Sequence, residues 1–170
     1  VAEKETTLEG RAEKVFKEHK GPAFILQSSM NIDRLVTMYR ASKKAKRVFL
    51  EDAYLANIAE TAGERIPNPK FYDVYAFPMD SRHYKYIEKY GNKIGKDKIS
   101  ENHFSMCVRT SMISYLKDLS EKMSFEDGVL IYSFWSGYKE TEAMKEFLSE
   151  CENLGLKIET IHTSGHADEQ

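Results

Sequence analysis

The stretch "PAFILQSSMNIDRLVTMYRASKKAKRVFLED", residues 22–52, carries the pattern that decides the fold. Its short apolar run "AFIL" is typical of a strand that is buried on both faces. Polar residues follow, and then Ile32, Leu35 and Tyr39 recur at the spacing of an amphipathic helix. The run "RVFLE" completes a strand–helix–strand unit. Such a unit predicts two parallel strands joined by a crossover helix.

The same alternation continues along the rest of the chain. Further strands are predicted in "YDVYAF", "HFSMCV", "GVLIYSFW" and "LKIETIH". Helices are predicted before the first strand and in "DAYLANIAETAG", "DSRHYKYIEKYG", "TSMISYLKDLSEK" and "YKETEAMKEFLSECENLG". We therefore expect a three-layer α/β fold of the Rossmann or flavodoxin type, with a mostly parallel sheet of five or six strands and helices on both faces. The length of 170 residues suits a single domain over residues 1–170.

Composition excludes several classes of protein. A formal net charge of −2 argues against capture of nucleic acid by the whole surface, although "RASKKAKR" (residues 40–47) allows a local basic patch. The two cysteines, Cys107 and Cys151, lie in apolar patterns and predict reduced thiols instead of a disulfide scaffold. The sequence has no apolar window of about 18 residues and a charged beginning, which predicts a cytoplasmic protein with no membrane partner.

Polar residues are expected at the edge where the strands end, because ligands of such sheets bind there. The strand ends supply Gln27–Ser29, Glu51–Asp52, Arg109–Ser111, Ser133–Tyr138 and His162–His166. Ser28 and Ser29 are candidate phosphate contacts, and the competing interpretation is that they cap the following helix. Glu51 and Asp52 are better explained as the acidic start of a helix. The hydroxyl-rich edge indicates a phosphate-bearing partner.

The stretch "HTSGH", residues 162–166, is the most unusual part of the sequence. A helix cap and a turn account for Ser164 and Gly165, but they leave two histidines unexplained. Metal binding, acid–base chemistry and phosphate binding all remain open from the residues alone. His162 belongs to the strand end, so we expect it to be mainly structural. His166 lies beyond the glycine turn and is the stronger functional candidate.

"HTSGHA" at the end of the last strand resembles the second signature motif of the beta-CASP proteins. These form the nucleic-acid-processing branch of the metallo-beta-lactamase fold and include ribonuclease J. The stretches "GPAFILQSSMNIDRLVTMYRASKKAKRVFLED", "NPKFYDVYAF", "HFSMCVRTSM" and "LIYSFWSGYKE" resemble the body of the cassette that this family inserts into its zinc domain. The resemblance covers nearly the whole chain.

The resemblance implies that the chain is a cassette from a larger zinc-dependent hydrolase of RNA or DNA, and that it is inactive in isolation. His166 would be the acid–base histidine of the zinc cleft, and Ser164 and Gly165 would contact a substrate phosphate. The family's zinc motif, H-x-H-x-D-H, does not occur here. No metal ligand or cofactor is therefore assigned to this chain, and zinc is expected in the full-length parent. The implied partners are the metallo-beta-lactamase domain of the same polypeptide and single-stranded nucleic acid.

Two features limit the assignment. Ribonuclease J has a Gly-Ser-Gln-Gly type of turn where this chain has Trp135–Tyr138, which argues for another branch of the family. Glu3, Glu5 and Glu9 are too weakly placed to be assigned the acidic residue of the family's first motif. The alternative function is a free-standing α/β module that binds a nucleotide or phosphorylated ligand at the strand ends. The absence of a G-x-G-x-x-G fingerprint disfavours it, and the strand ends do not match a response regulator.

Overall fold

The computed structural model describes the backbone of residues 2–162 and the side chains of residues 5–162. The strands are β1 (Ala23–Leu26), β2 (Val48–Asp52), β3 (Val74–Phe77), β4 (Phe104–Val108), β5 (Gly128–Tyr132) and β6 (Leu156–Thr160). The helices are α1 (Ala2–Glu18), α2 (Ile32–Lys44), α3 (Ala53–Ala62), α4 (Lys96–Ile99), α5 (Ile113–Lys122) and α6 (Glu142–Asn153). Short 3₁₀ turns span Ser81–Tyr86, Thr110–Met112 and Ser136–Glu140.

These six strands form one sheet in the order β3–β2–β4–β1–β5–β6, and every pairing is parallel. In the centre, Ile25 of β1 lies beside Cys107 of β4 on one side and Ile131 of β5 on the other. The predicted α/β fold with a parallel sheet is confirmed. The strand order was not predicted, because strands that are buried on both faces all carry similar apolar runs.

Side chains alternate between the two faces of the sheet, and helices cover both faces. Ile25 packs in one cluster with Leu8 of α1 and Leu35 of α2. Its neighbour Phe24 packs in a second cluster with helices α5 and α6, for example against Leu116. Two covered faces explain why the strands are apolar without alternation. The three-layer arrangement is thereby confirmed.

The crossover helices define where crevices form at the carboxyl edge of the sheet. The connections from β1 to β2 and from β2 to β3 run toward one side of the sheet, over the face that α1 and α2 cover. The connections from β4 to β5 and from β5 to β6 run the opposite way, over the other face. The chains that leave β2 and β4 therefore diverge, as do those that leave β1 and β5. Ligands of open α/β sheets bind at such points.

One helix was predicted wrongly. The stretch "DSRHYKYIEKYG" forms only the 3₁₀ turn Ser81–Tyr86, in which Asp80 Oδ1 accepts a hydrogen bond of 2.8 Å from the Arg82 amide. None of the six residues in this turn is buried, and among residues 80–91 only Ile87 and Tyr90 are, so the covered apolar face is too small to stabilise a longer helix. Within residues 2–162, no helix is both long enough and apolar enough to cross a membrane.

The basic stretch at residues 40–47 is only partly a solvated helix end. Arg47 is 3% exposed, and burial lowers the pKa of its guanidinium to about 10. Its guanidinium donates hydrogen bonds of 2.7 to 3.3 Å to four backbone oxygens, those of Phe16, His19, Gly21 and Phe104. Arg47 therefore binds the carboxyl end of α1 to the start of β4, because the last carbonyls of a helix lack partners within the helix.

Candidate functional site

The carboxyl ends of the parallel strands bring the predicted polar residues to one edge of the sheet. Across this edge, in the order of the strands, lie Asp52 at the end of β2, Arg109 after β4, Gln27–Ser29 after β1, Ser133 after β5 and His162 after β6. These side chains come from distant parts of the sequence. They separate into two regions, one at the diverging ends of β1 and β5 and one at those of β2 and β4.

Near the ends of β5 and β6, five polar side chains form a group that we call the Arg34 cluster: Glu5, Arg34, Thr37, Ser133 and His162. Arg34 is only 2% exposed. It donates through Nη2 to Glu5 Oε1 at 3.1 Å and through Nη1 to Ser133 Oγ at 2.6 Å. Thr37 Oγ1 donates to the other oxygen of the Glu5 carboxylate at 2.6 Å. The cluster joins helices α1 and α2 to the ends of two strands.

Charge pairing decides the ionisation of Glu5 in this cluster. Burial raises the pKa of the Glu5 carboxyl, but hydrogen bonds from Arg34 and Thr37 and the charge of Arg34 outweigh that effect. The pKa of Glu5 therefore lies below its ordinary value. Glu5 is a carboxylate at neutral pH, and its charge balances that of the buried guanidinium.

Arg34 also orients the first histidine of the HTSGH stretch. Its Nη1 lies 3.3 Å from Nδ1 of the half-buried His162. A guanidinium has only donors, so Nδ1 must be the acceptor. The proton of the neutral imidazole then sits on Nε2. These contacts fit the structural role that we expect for His162.

The end of β6 is bound on both sides just before this histidine. Arg11 of α1 donates to the backbone oxygen of Thr160 at 3.2 Å, and Lys139 donates to the Thr160 hydroxyl. The amide of Ile161 donates to the backbone oxygen of Tyr132 at 2.9 Å. The chain is therefore held at the carboxyl edge up to the first residue of the motif.

Ser28 and Ser29 lie half-buried at this edge, as predicted, but neither caps α2. The cap is Asn31, whose Oδ1 accepts from the Arg34 amide at 3.0 Å. Ser28 Oγ accepts from the Met30 amide at 3.2 Å and so closes the turn before the helix. Ser28 also lines a cavity of about 320 Å³ together with Thr110, Phe134, Tyr138, Thr141 and Met144. Both serines line a smaller cavity, of about 270 Å³, beside Arg109 and Thr110.

The turn at Trp135–Tyr138 is built around an aromatic anchor. The rings of Trp135 and Tyr138 meet edge to face with their centres 5.5 Å apart. Tyr132 donates a hydrogen bond of 2.9 Å from its hydroxyl to the backbone oxygen of Trp135. A Cβ at Gly137 would lie 2.5 Å from the indole ring, so any other residue would force the indole to move. The glycine is explained by packing against the tryptophan.

On the other side of the edge, the buried Asp52 and the half-buried Arg109 form an ion pair that the sequence did not predict. The two Nη atoms of Arg109 donate to the two oxygens of Asp52, each at 2.8 Å. Asp52 also caps α3, because its Oδ1 accepts from the Leu55 amide at 3.3 Å. The predicted role of Asp52 at a helix start is thus confirmed. Its hydrogen bond raises the pKa of Arg109.

Glu51 and Gln27 are buried polar side chains whose terminal atoms have no hydrogen-bond partner among the described residues. Glu51 is fully buried on the α2 side of the sheet, and burial, aided by the charge of Asp52, raises the pKa of its carboxyl well above the ordinary value. Burial therefore favours the protonated form of the Glu51 carboxyl. Gln27 is 4% exposed at the end of β1. The helix-start interpretation of Glu51 is wrong, since its side chain points into the core.

Three predicted site residues, Ser164, Gly165 and His166, lie outside the described residues. Among residues 5–162, no group of three or more His, Cys, Asp or Glu side chains is placed to hold a metal ion. The side chains described here therefore do not fit a zinc site. A scan against models of known protein families matches none to this chain, and a search of curated proteins finds no significantly similar sequence.

Proposed function

We propose that this chain is the substrate-binding module of a zinc-dependent nucleic-acid hydrolase of the beta-CASP type, and that it is inactive alone. One observation carries the proposal. β6 brings His162, the first residue of the HTSGH stretch, to the carboxyl edge of a parallel sheet, where Arg34 Nη1 lies 3.3 Å from its Nδ1. An edge of this kind is where α/β folds bind their ligands.

The roles of the site residues follow from the resemblance of HTSGHA to the second motif of the family. His166 acts as the acid–base histidine. Ser164 and Gly165 contact a substrate phosphate, with Ser28 and Ser29, which follow β1, as further contacts at the carboxyl edge. The resemblance implies that zinc and its ligands belong to the metallo-beta-lactamase domain of the same polypeptide. The substrate is single-stranded nucleic acid, whose backbone can reach the carboxyl edge of the sheet.

Substitution of His166 in the full-length parent tests the proposal. A general acid contributes about 10²- to 10⁴-fold to the rate, so His166→Ala should lower turnover of a labelled single strand by about that factor. Zinc content and the thermal midpoint should not change. His103→Ala is the matched control, because His103 is exposed at the opposite edge of the sheet, next to the start of β4. Turnover of His166→Ala within a few-fold of the control would refute the assigned role.

A second candidate function is a free-standing module that binds a phosphorylated small molecule. Ser28, Thr110 and Thr141 favour it, because their hydroxyls line one cavity at the amino end of the twelve-residue helix α6. Coding sequence that flanks this chain and contains H-x-H-x-D-H would decide for the hydrolase. Stabilisation of the chain by a nucleoside monophosphate, lost in Thr110→Val, would decide for the second function.

A further inference from the structure

A groove of about 900 Å³ opens at the carboxyl edge above the diverging ends of β2 and β4. Helix α3 forms one wall, and the turn Ser81–Tyr86 with the preceding loop forms another. Its lining is mainly apolar and includes Met30, Tyr54, Ile58 and Tyr86. We call it the Tyr54 groove. It is separate from the Arg34 cluster, which lies near the ends of β5 and β6.

Large apolar side chains are exposed in the Tyr54 groove. Tyr54 is 55% exposed, Tyr86 is 50% exposed and Met30 is 73% exposed. On α3, the side chains that face the groove recur at Tyr54, Ile58 and Thr61, whereas Leu55 packs against the sheet on another stripe of the helix. Apolar residues that are concentrated in one groove of a soluble domain indicate a binding surface.

The floor of the groove carries no net charge, and a guanidinium stacks on an aromatic ring there. Arg109 donates hydrogen bonds from both Nη atoms to Asp52, so the carboxylate already balances its charge. The centre of its guanidinium lies 4.9 Å from the centre of the Tyr54 ring. A phosphate or carboxylate would have to compete with Asp52 for this cation. The groove therefore suits an uncharged planar group that stacks on aromatic and guanidinium surfaces.

The rim adds one cation and several hydrogen-bonding groups. Lys85 is exposed, and its Nζ lies 5.2 Å from the centre of the Tyr86 ring. Arg82, in the same turn, is paired with Asp80. Asn57 and Ser111 line the groove and carry donors and acceptors for the edge of a ring. A site for a planar uncharged group beside a cation matches an unpaired base with its adjoining phosphate. An apolar peptide side chain would make no favourable contact with the cation.

We propose that the Tyr54 groove binds an unpaired nucleobase of a single strand, which stacks on Tyr54 and Tyr86 while the adjoining phosphate lies toward Lys85. The choice of nucleic acid as the partner rests on the proposed function. The location of the groove, the balanced charge at its floor and its stacking surfaces do not depend on the proposed function. The groove would bind the substrate strand outside the Arg34 cluster and so select for unpaired bases.

The test compares two labelled single strands of about ten nucleotides, a length that one such domain can cover. One strand carries bases throughout, and the other carries abasic sites with the same number of phosphates. Binding to the 170-residue chain is followed by fluorescence anisotropy. Stacking of one base is worth about 1–3 kcal/mol, so the abasic strand should bind about 5- to 150-fold more weakly. Tyr54→Ala and Tyr86→Ala should each weaken binding of the base-bearing strand at least about 5-fold.

Two controls make the result specific. Tyr54→Phe keeps the ring and should bind like the wild type. Tyr72→Ala removes a tyrosine that is 75% exposed outside the groove, and it should have no effect. Equal binding of the two strands, wild-type binding by both alanine variants, or no binding of the base-bearing strand would each overturn the proposal. Base-dependent binding with no hydrolysis by the full-length parent would refute the proposed function alone.

Discussion

Replacement of Arg34 by methionine should destabilise the protein by about 2–4 kcal/mol. Methionine keeps an unbranched side chain of similar length but removes every hydrogen-bond donor of the guanidinium. Loss of one partner from a buried ion pair costs about 3–5 kcal/mol. We lower this range because the Glu5 side chain is 21% exposed and keeps its hydrogen bond from Thr37. Urea unfolding at pH 7 measures the change in the free energy of unfolding.

Several comparisons make this measurement decisive. Arg40→Met, on the exposed face of the same helix, should change stability by less than about 0.5 kcal/mol. The double variant Arg34→Met with Glu5→Gln should recover about 1 kcal/mol or more, because no charge is left unpaired. The pKa of Glu5 is lowered in the folded state, so the effect of Arg34→Met should shrink as the pH falls below about 4.3. A loss for Arg34→Met no larger than that for Arg40→Met would refute the reasoning.

Three further predictions concern buried groups and metal binding. Arg47→Met should cost about 3–5 kcal/mol in urea unfolding, because four backbone oxygens lose a donor, and Arg47→Lys should recover only part of it. Glu51→Gln should raise the thermal midpoint at pH 7 and leave it nearly unchanged at pH 4, because glutamine does not titrate. The sign follows because the folded wild type keeps a proton that the unfolded chain releases above about pH 4.3. Titration calorimetry should show zinc binding to the isolated chain no tighter than about millimolar, since a site needs three or four ligands.

Local pattern was enough to predict the layers of this fold. The runs "AFIL" and "GVLIY" are apolar at every position, and a strand of that kind must be covered on both faces. The intervening helices have one apolar stripe each, which predicts where they pack. At residues 80–91 this reasoning failed, because Tyr84 and Tyr86 face solvent and only Ile87 and Tyr90 are buried. Periodicity reports which residues share a face and not whether that face is covered.

The candidate site divides in the same way. The sequence alone was sufficient to place Ser28, Ser29 and His162 at the carboxyl edge, because a parallel sheet brings all strand ends to one side. It did not predict that Arg34 contacts both Glu5 and His162. The only indication was that a charged residue lies next to Leu35, on the side of α2 that packs against α1. A sequence cannot distinguish such an arginine from a solvated one without knowing what packs beside the helix.

The sequence by itself determined the α/β class, the parallel sheet and the composition of its carboxyl edge, since these depend on residues that are close together in the chain. Only the tertiary structure decided that β4 lies between β1 and β2. That order pairs Asp52 with Arg109 and opens the groove beside Tyr54. The physical reason is that strand order depends on how whole apolar surfaces fit together. Strands that are apolar on both faces carry nearly the same local pattern, so their neighbours are chosen by packing across the complete sheet.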